Sequence, residues 1–424
     1  MQFKNILAIT AIAGLASAAN NSTLTTATPS VKSECSFKDF TATASNQVQQ
    51  VAACATAVGD ITIQGESFGT VELTGVQQIY GSLHVKNATK ATTINAATLQ
   101  LVSGVLEFNA NTILSNLNLA QLTTVGSFSL NALPALEKTG LTAGITSADS
   151  VIISDTGLSS LTGINVFKLK VFNVNNNDNI DTIDSGLQEV TDTIDISYNA
   201  EKVDVILKQL SSAKNIVLQQ VNSFSAPNLT IANGSFAVSS CSVEKVELAK
   251  LTSIGNSLTI NKNDDLTELD FPNLKSIGGA LQISDNSELR SFSGFPKLET
   301  IGGSVNINGT FDNGTFESLK RVSGGFILKT DGKLSCSAFN KLNTNGDIKG
   351  DKFQCEDRQT TSSSSSKKSG SATETSGSSE TGSDSSSSAS GSSSSSSKKG
   401  GAASNNGKLA SVVAAFAAVG VALF

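Results

Sequence analysis

Few side chains in this sequence could perform chemistry. His84 is the only histidine, and it stands between Leu83 and Val85, an alternation that predicts a solvent-facing position on a β-strand. With one histidine and no Gly-x-Ser-x-Gly or matching cysteine pattern, a triad hydrolase is excluded. The sequence contains no phosphate-binding glycine loop and no Cys-x-x-Cys or Cys/His metal spacing, so no cofactor and no metal site are predicted.

Carboxylates are the remaining candidates for catalysis, because pairs of acidic side chains can cleave glycosidic bonds. Six aspartates could project from the predicted strands or their ends: Asp155, Asp178, Asp195, Asp264, Asp265 and Asp285. Most lie beside asparagine in positions typical of turns, and no two have the spacing of a dedicated pair. The chain has no Trp and only two Tyr, which argues against a sugar-stacking cleft. A wall-polysaccharide-modifying enzyme is therefore the least favoured hypothesis, and we predict a protein that is not an enzyme.

A repeat of about two dozen residues organises the chain. The sequence Ile-Gly-Asn-Ser-Leu-Thr-Ile at 254–260 returns as Ile-Gly-Gly-Ala-Leu-Gln-Ile at 277–283 and Ile-Gly-Gly-Ser-Val-Asn-Ile at 301–307. Phe-Pro-x-Leu follows twice, at 271–274 and 295–298. The apolar-x-apolar core of each repeat predicts a strand with one buried face, and a period of this length is typical of a solenoid.

The same pair of apolar residues recurs at steps of 20 to 24 residues and predicts thirteen coils. The pairs are Ile61/Ile63, Leu83/Val85, Leu106/Phe108, Phe128/Leu130, Val151/Ile153, Phe172/Val174, Ile194/Ile196, Ile216/Leu218, Phe236/Val238, Leu258/Ile260, Leu281/Ile283, Val305/Ile307 and Phe326/Leu328. We predict a mainly β fold, a right-handed parallel β-solenoid with one continuous sheet and irregular remaining faces.

Asparagine and glycine recur beside these strands, and we interpret both as structural. Asparagine three residues past the second apolar residue is expected to bond backbone groups of the turn, whereas glycine before the strand is expected to allow a tight corner. The asparagines are Asn111, Asn177, Asn199, Asn263 and Asn286, and the glycines are Gly104, Gly126, Gly255, Gly278, Gly302 and Gly324.

Two cysteine pairs bracket the repeat with the same separation in sequence. We predict the disulfides Cys35–Cys54 and Cys336–Cys355, which would close loops over the open ends of the solenoid, although other pairings satisfy the sequence. Cys241 is left over inside the ninth coil. We interpret it as a buried free thiol, with an intermolecular bridge or a reactive thiol as alternatives.

Both termini carry export signals. Residues 1–18 have a basic start, a short apolar run and the small-x-small site Ala-Ser-Ala, which predicts a signal peptide. Residues 409–424 are apolar and follow small residues and a polar spacer, which predicts a GPI-attachment signal with Gly400 as the modified residue and Gly401 and Asn405 as alternatives. A transmembrane helix is the rival interpretation, but sixteen residues without flanking charge are a poor span.

The predicted organisation is therefore a signal peptide (1–18), a lead-in and cap (19–54), the solenoid (55–335), a second cap (336–358), a disordered Ser-rich stalk (359–408) and a removed tail (409–424). In an exported chain, Asn-x-Ser/Thr sequons are candidate glycosylation sites. They occur at Asn20, Asn21, Asn87, Asn228, Asn233, Asn308 and Asn313. The net charge is −6 without a long basic run, so nucleic-acid binding is not supported.

The Ile-Gly-Gly-x-Leu-x-Ile coils, the cysteine caps, the sequons, the Ser-rich stalk and the GPI signal together resemble the fungal GPI-anchored cell-wall organisation glycoproteins of the extracellular-mutant and sporulation-specific type. The coils also resemble the receptor L domain, a relative of the leucine-rich repeat. This resemblance implies a non-catalytic surface protein that supports wall organisation and integrity and, in pathogens, host contact. Lys398 and Lys399 before Gly400 favour retention at the plasma membrane, whereas the long stalk favours transfer to wall glucan, so both pools are expected.

We predict a structural and interaction module at the cell surface. Its expected partners are cell-wall glucan or other wall proteins, contacted through the sheet, and the plasma membrane, contacted through the GPI lipid. The alternative is an adhesin or receptor-like module, which would require an exposed apolar or aromatic patch.

Overall fold

The computed structural model describes residues 27–358. The predicted signal peptide, stalk and hydrophobic tail lie outside these residues, as do Asn20, Asn21, Gly400, Gly401 and Asn405. Those predictions therefore remain predictions.

A parallel sheet, called here the main sheet, connects all the coils. The apolar pair of each strand lies in register with that of the next coil, so that Leu258 lies opposite Leu281 and Ile260 opposite Ile283. The longer strands Leu101–Asn109, Thr124–Leu133, Lys168–Asn175, Glu189–Ser197 and Ser212–Gln219 contain register shifts before this pair. Its strands are Phe40–Ala42, Ile61–Gln64, Leu83–Lys86, Leu101–Asn109, Thr124–Leu133, Ser150–Thr156, Lys168–Asn175, Glu189–Ser197, Ser212–Gln219, Phe236–Ser239, Leu258–Asn261, Leu281–Ser284, Val305–Gly309, Phe326–Thr330 and Phe353–Glu356. All thirteen predicted strand pairs belong to this sheet, which confirms the parallel β-solenoid.

The first and last strands of the main sheet were not predicted. Phe40–Ala42 pairs with Ile61–Gln64, and Phe353–Glu356 pairs with Phe326–Thr330. Each belongs to a segment closed by a disulfide, so the caps add one strand to each end of the sheet in addition to covering the core.

The remaining faces are more regular than predicted. A row of short strands precedes the main strands in many coils: Thr56–Val58, Gln78–Tyr80, Ile231–Ala232, Ser253–Ile254, Ser276–Ile277, Thr300–Ile301 and Arg321–Val322. Three small parallel sheets form on the return path: Thr70–Glu72, Thr93–Asn95 and Asn116–Asn118, then Thr182–Asp184, Val203–Ile206 and Val221–Ser225, then Lys245–Glu247 and Glu268–Asp270. Hydrogen bonding between coils therefore extends well beyond the main sheet.

The core is one continuous apolar column inside the coils. Both apolar residues of each main strand are buried, and the phenylalanines of the return path complete the column. Phe271 and Phe295 stack with ring centroids 5.0 Å apart, and Phe292 meets Phe311 edge-on at 5.0 Å. Because burying such a side chain contributes about 1.5–3 kcal/mol, the stacking of coils stabilises each of them.

Asparagines form a buried ladder directly after the main strands, and their predicted role is confirmed. The Asn263 amide donates to the Val238 carbonyl at 3.1 Å, while its oxygen accepts the Cys241 backbone N–H at 2.9 Å. The Asn286 oxygen then accepts the Asn263 backbone N–H at 3.1 Å. Each amide thus satisfies backbone groups that are shielded from water.

The residue between strand and ladder adopts a left-handed backbone conformation with φ between +52° and +56° in ten coils. These corner residues are Asn87, Ala110, Ala132, Asp155, Asn176, Tyr198, Gln220, Ser240, Lys262 and Asp285. Side chains at this position point away from the core, so the sequence can vary there.

The glycines before the strands occupy tight corners that a Cβ would block, as predicted. Gly255, Gly278 and Gly302 stack on one another at successive corners and do not have positive φ. A Cβ on Gly278 would lie 2.1 Å from the Gly255 carbonyl oxygen. Close stacking of coils, rather than backbone conformation, therefore selects glycine.

Disulfides hold both caps, and both predicted pairings are present. The Cys35–Cys54 disulfide closes a loop that contains the helix Ser45–Ala52, and Cys35 is the last residue of the 3-10 turn Ser33–Cys35. The Cys336–Cys355 disulfide closes a loop that contains the helix Ser337–Thr344. The C-terminal helix inserts Phe339 over the last coil, where its ring stacks on Phe326 at 5.6 Å.

Candidate functional site

The outward side of the main sheet is the candidate site, because its side chains recur in register from strand to strand. We define the central face as the outward residues of eight consecutive strands, from the strand of Phe128 to that of Leu281. In each strand these are the residues before, between and after the two core residues. They are Ser127, Ser129, Asn131, Ser150, Ile152, Ser154, Val171, Asn173, Asn175, Thr193, Asp195, Ser197, Asn215, Val217, Gln219, Ser235, Ala237, Ser239, Ser257, Thr259, Asn261, Ala280, Gln282 and Ser284. Two of them, Ser197 and Ser284, are themselves buried.

The central face carries hydroxyls and amides with almost no charge. Asp195 is its one ionisable residue. No ion pair within residues 27–358 has a member on it. On the main sheet, ion pairs occur near the ends, as His84–Glu107 at 2.7 Å and Lys329–Glu356 at 3.3 Å. They also occur at the beginnings of the middle strands, before the central face, as Lys168–Glu189 at 3.2 Å and Lys214–Asp192 at 3.1 Å. Elsewhere they lie on the other faces, as in the network of Lys245 with Glu247, Glu268 and Asp270.

Hydrogen bonds link several polar side chains of the central face, both between neighbouring strands and within one strand. The Ser154 hydroxyl donates to the Asn175 oxygen at 2.5 Å, and the Asn175 amide donates to the Asn173 oxygen at 2.5 Å. Ser239 donates to Asn261 in the same way, at 2.5 Å. This network fixes side chains that would otherwise rotate freely, which lowers the entropy cost of binding a ligand on them.

Other amides on the central face have no partner within the part of the chain that the structure describes. The side chains of Asn131, Gln219 and Gln282 make no hydrogen bond to protein, and each is partly exposed. An amide both donates and accepts, so these three can bond ligand hydroxyls in either sense.

Asp195 lies half-buried in the middle of the face. Burial raises the pKa of its carboxyl above the ordinary value, and the hydrogen bond from the Ser197 hydroxyl opposes that effect. The surrounding outward residues are neutral, so the fold does not provide a cation to compensate the charge.

The structure does not bring the six candidate aspartates together. Asp195 is alone on the central face, whereas Asp155 and Asp285 occupy left-handed corners. The other three lie in exposed turns, where Asp264 accepts a hydrogen bond from Ser287 at 2.9 Å. Within residues 27–358, no group of three His, Cys, Asp or Glu side chains could hold a metal ion.

His84 is half-exposed on the main sheet, as predicted, and its Nδ1 lies 2.7 Å from a carboxylate oxygen of Glu107 in the next coil. The pair lies outside the central face, near the N-terminal cap. The contact joins two adjacent coils through side chains that the 23-residue spacing brings into register.

Cys241 is a free, buried thiol that takes the place of an asparagine in the buried ladder. Its sulfur lies 3.5 Å from the Leu218 carbonyl oxygen and 3.5 Å from the Val221 backbone nitrogen. Burial raises the pKa of the Cys241 thiol to about 11. Because the thiolate is the reactive form, this environment favours the structural interpretation over a reactive thiol.

Tyr198 is the feature that reasoning from the sequence missed. It is 47% exposed at a left-handed corner with φ +54°, directly after Ser197 of the central face. The other nine corners of this series have no aromatic residue. The small number of tyrosines in the sequence led us to discount aromatic contacts. One exposed ring beside a repeated face can provide such a contact even without an aromatic cleft. The other exposed large apolar residues of the described chain, Ile113 and Phe167, lie at other positions of the repeat, Ile113 in the turn after Asn111 and Phe167 directly before a main strand. These three residues therefore do not form one row on one face.

Comparisons with known proteins identify relatives along most of the chain. The cell surface GPI-anchored protein ECM33 of Candida albicans is 38% identical over 325 residues, covering 76% of this chain and 78% of the relative. This chain belongs to the fungal ECM33/SPS2 family. The cell wall mannoprotein PST1 of Saccharomyces cerevisiae is 35% identical over 74% of this chain and 70% of its own length. Protein ecm33 of Aspergillus fumigatus is 30% identical over 76% and 81%.

The family predicted from the repeat and caps is thereby confirmed. No family model matches the chain. No solved structure matches it either. Among residues 27–358, no helix has the length and apolarity needed to cross a membrane.

Five of the predicted glycosylation sites lie in the described chain, and all five asparagines are exposed. Asn87 occupies a corner near the N-terminal cap, Asn308 lies on the main strand that follows the central face, and Asn233 lies at a corner before a main strand. Asn228 is the most constrained, because its amide donates to the Lys208 carbonyl at 2.7 Å and its oxygen accepts from Lys250 at 2.7 Å. Asn313 lies on another face.

Proposed function

We propose that the protein is a GPI-anchored cell-surface glycoprotein that supports fungal cell-wall organisation and integrity as a non-catalytic structural and interaction module. Its partners are wall glucan or other wall proteins, contacted through the main sheet. Membership of the ECM33/SPS2 family is the single observation that carries this proposal, since relatives are named as cell surface GPI-anchored and cell wall proteins.

The non-catalytic part of the proposal is supported by the dispersal of the carboxylates. Glycoside cleavage by a carboxylate pair needs two acids within about 5–10 Å of each other across the bond. On the central face Asp195 has no acidic neighbour among the outward residues. We expect no turnover of β-glucan, chitin or mannan by the purified full chain, and release of reducing ends that is lost on Asp195→Gln would contradict the proposal.

Localisation and wall phenotype test the rest. Cells lacking the protein are expected to become hypersensitive to a chitin-binding dye, and the full chain should restore resistance. Phosphoinositide-specific phospholipase C should release a membrane pool, and glucanase digestion should release a wall pool. A Gly400→Gln/Gly401→Gln variant should lose both pools. A fully retained surface pool in that variant would contradict these attachment sites, and normal wall resistance in the deletion strain would contradict the function.

A further inference from the structure

We infer that the central face binds a single chain of a neutral, β-linked polysaccharide lying along the solenoid axis, with Tyr198 stacking at its edge. This inference rests on the proposed wall function and names the ligand class and the residues. It is carried by the charge, spacing and sequon pattern of the face together.

Charge selects a neutral ligand. Asp195 is the one charge on the central face itself, while ion pairs lie at the beginnings of its strands, at the ends of the sheet and on the other faces. An anionic or cationic polymer would meet no complementary row of charges here. A sugar chain instead needs hydroxyl partners, which the unbonded amides of Asn131, Gln219 and Gln282 supply.

Spacing selects an extended, repetitive ligand. Strands of the main sheet repeat at about 4.8 Å, so the central face spans roughly 34 Å from its first strand to its last. Sugar rings of an extended β-linked chain recur at a similar spacing, which lets successive rings meet successive strands. Individual hydrogen bonds contribute only about 0.5–1.5 kcal/mol each, so affinity requires this repetition.

Apolar contacts complete the recognition of sugar rings, whose C–H faces are hydrophobic. Aliphatic residues interrupt the polar rows at Ile152, Val171, Val217, Ala237 and Ala280. Tyr198, on the fourth of the eight strands, places an exposed ring beside the middle of the face.

The sequons leave the face uncovered although it is rich in asparagine. A serine follows the second core residue in the strands of Ile152, Asp195, Ala237 and Gln282, so an asparagine at any of these four positions would create a sequon. None of the four is asparagine. Where asparagine does occupy the equivalent position, at Asn173, the third residue is Asn175 and no sequon forms. N-glycans would therefore surround the central face without covering it.

A glycan introduced onto the face provides the test. In the full chain purified from yeast membranes, Gln282→Asn creates the sequon Asn-Ile-Ser at 282–284, and Gln282→Asn/Ser284→Ala carries the same amide without a glycan. Lys250→Asn creates Asn-Leu-Thr at 250–252, one coil after the native sequon at Asn228 and away from the central face. Mobility before and after endoglycosidase treatment establishes occupancy, with Ala237→Asn as the replacement if position 282 is not modified.

Binding is measured to laminarihexaose and chitohexaose, with polygalacturonate and chitosan as charged controls. We expect the parent chain to bind one of the neutral ligands and neither charged polymer, and the choice between them identifies the wall polymer. The glycan at position 282 should weaken binding at least tenfold relative to Gln282→Asn/Ser284→Ala, which has the same shortened amide without a glycan. Endoglycosidase should restore binding to the level of that variant, and Lys250→Asn should bind as the parent does.

Full binding by the glycosylated face variant would overturn the inference, as would failure of the parent to bind either neutral ligand. Asn131→Asp/Gln219→Glu/Gln282→Glu provides an independent measurement that needs no glycan: it removes three amide donors at constant shape and should also weaken binding at least tenfold. Localisation and dye resistance of the wild-type chain are unaffected by these outcomes, so failure of the inference is distinguishable from failure of the proposed wall function.

Discussion

Asp195 is the one ionisable residue of the central face, and its burial links the stability of the protein to pH. Its folded-state pKa is raised by burial, so folding favours the protonated form. The stability contributed by the protonated carboxyl is present at acidic pH and is lost as the pH rises through the folded-state pKa.

We expect Asp195→Gln to raise the melting temperature at pH 7 and to leave it nearly unchanged at pH 3, because only the ionised carboxylate suffers from burial. Glutamine is chosen because asparagine at this position would create a sequon with Ser197. Thermal unfolding of the parent and the variant at both pH values measures the effect. An equal difference between the two proteins at pH 3 and pH 7 would contradict the argument.

Tyr198 occupies a backbone conformation that disfavours its side chain by about 1–2 kcal/mol. We expect Tyr198→Gly to raise the free energy of unfolding by up to about 1 kcal/mol, since glycine relieves the strain but gains entropy in the unfolded chain. The same change should weaken oligosaccharide binding about fivefold to tenfold. Equilibrium unfolding and binding to the preferred hexasaccharide measure the two effects.

Asn176→Gly is the matched control, one coil earlier at the equivalent left-handed corner. Asparagine tolerates this conformation, so its replacement should change stability little and binding not at all. Unchanged binding by Tyr198→Gly would remove Tyr198 from the proposed site.

At the scale of elements, the asparagines of the buried ladder and Cys241 both contact backbone groups that are shielded from water, the asparagines through an amide and Cys241 through its sulfur. We expect Cys241→Asn to keep the free energy of unfolding within about 1 kcal/mol of the parent, because an amide can reach the Leu218 carbonyl and the Val221 N–H that the sulfur contacts. Cys241→Leu should lower it by about 2–3 kcal/mol, because it leaves two buried backbone groups unpaired. Urea unfolding of both variants tests this; equal stabilities would show that the thiol acts only by filling space.

The elements also show what the sequence could and could not predict. The apolar pairs such as Leu281/Ile283 predict every main strand of the coils, because burial between neighbours imposes the same pattern each time. The cap strand Phe40–Ala42 keeps the period, 21 residues before Ile61, but was missed because Ala42 is a weak mark of an apolar pair. Phe353–Glu356 was missed because it follows Phe326 by 27 residues, outside the period. The sheet was predicted as the contact surface, but its neutral central part was not recognised. The outward residues there vary in type, and only the register of the strands shows that they share a lack of charge.

For the whole described solenoid, stability is local, because each coil contacts mainly its neighbours. We expect Cys336→Ser/Cys355→Ser to cost about 2–5 kcal/mol at the C-terminal end. Hydrogen exchange should accelerate in Phe326–Thr330 and Phe353–Glu356 while Ile61–Gln64 keeps its protection. Uniform acceleration of exchange along the sheet would contradict local stability. Lys341→Ala is the control: it changes an exposed residue of the same cap helix and should alter exchange in neither region.

The placement of the disulfides has a mechanical consequence. Each bridge joins residues only 19 apart within one cap, so no disulfide cross-links one coil to another. Tension along the solenoid axis would load the hydrogen bonds between strands one row after another, as in opening a zipper. The released coils, some 280 residues, could extend to roughly 900–1,000 Å while the caps stayed closed. The solenoid would then unfold coil by coil at low force, extend, and refold when neighbouring coils stack again.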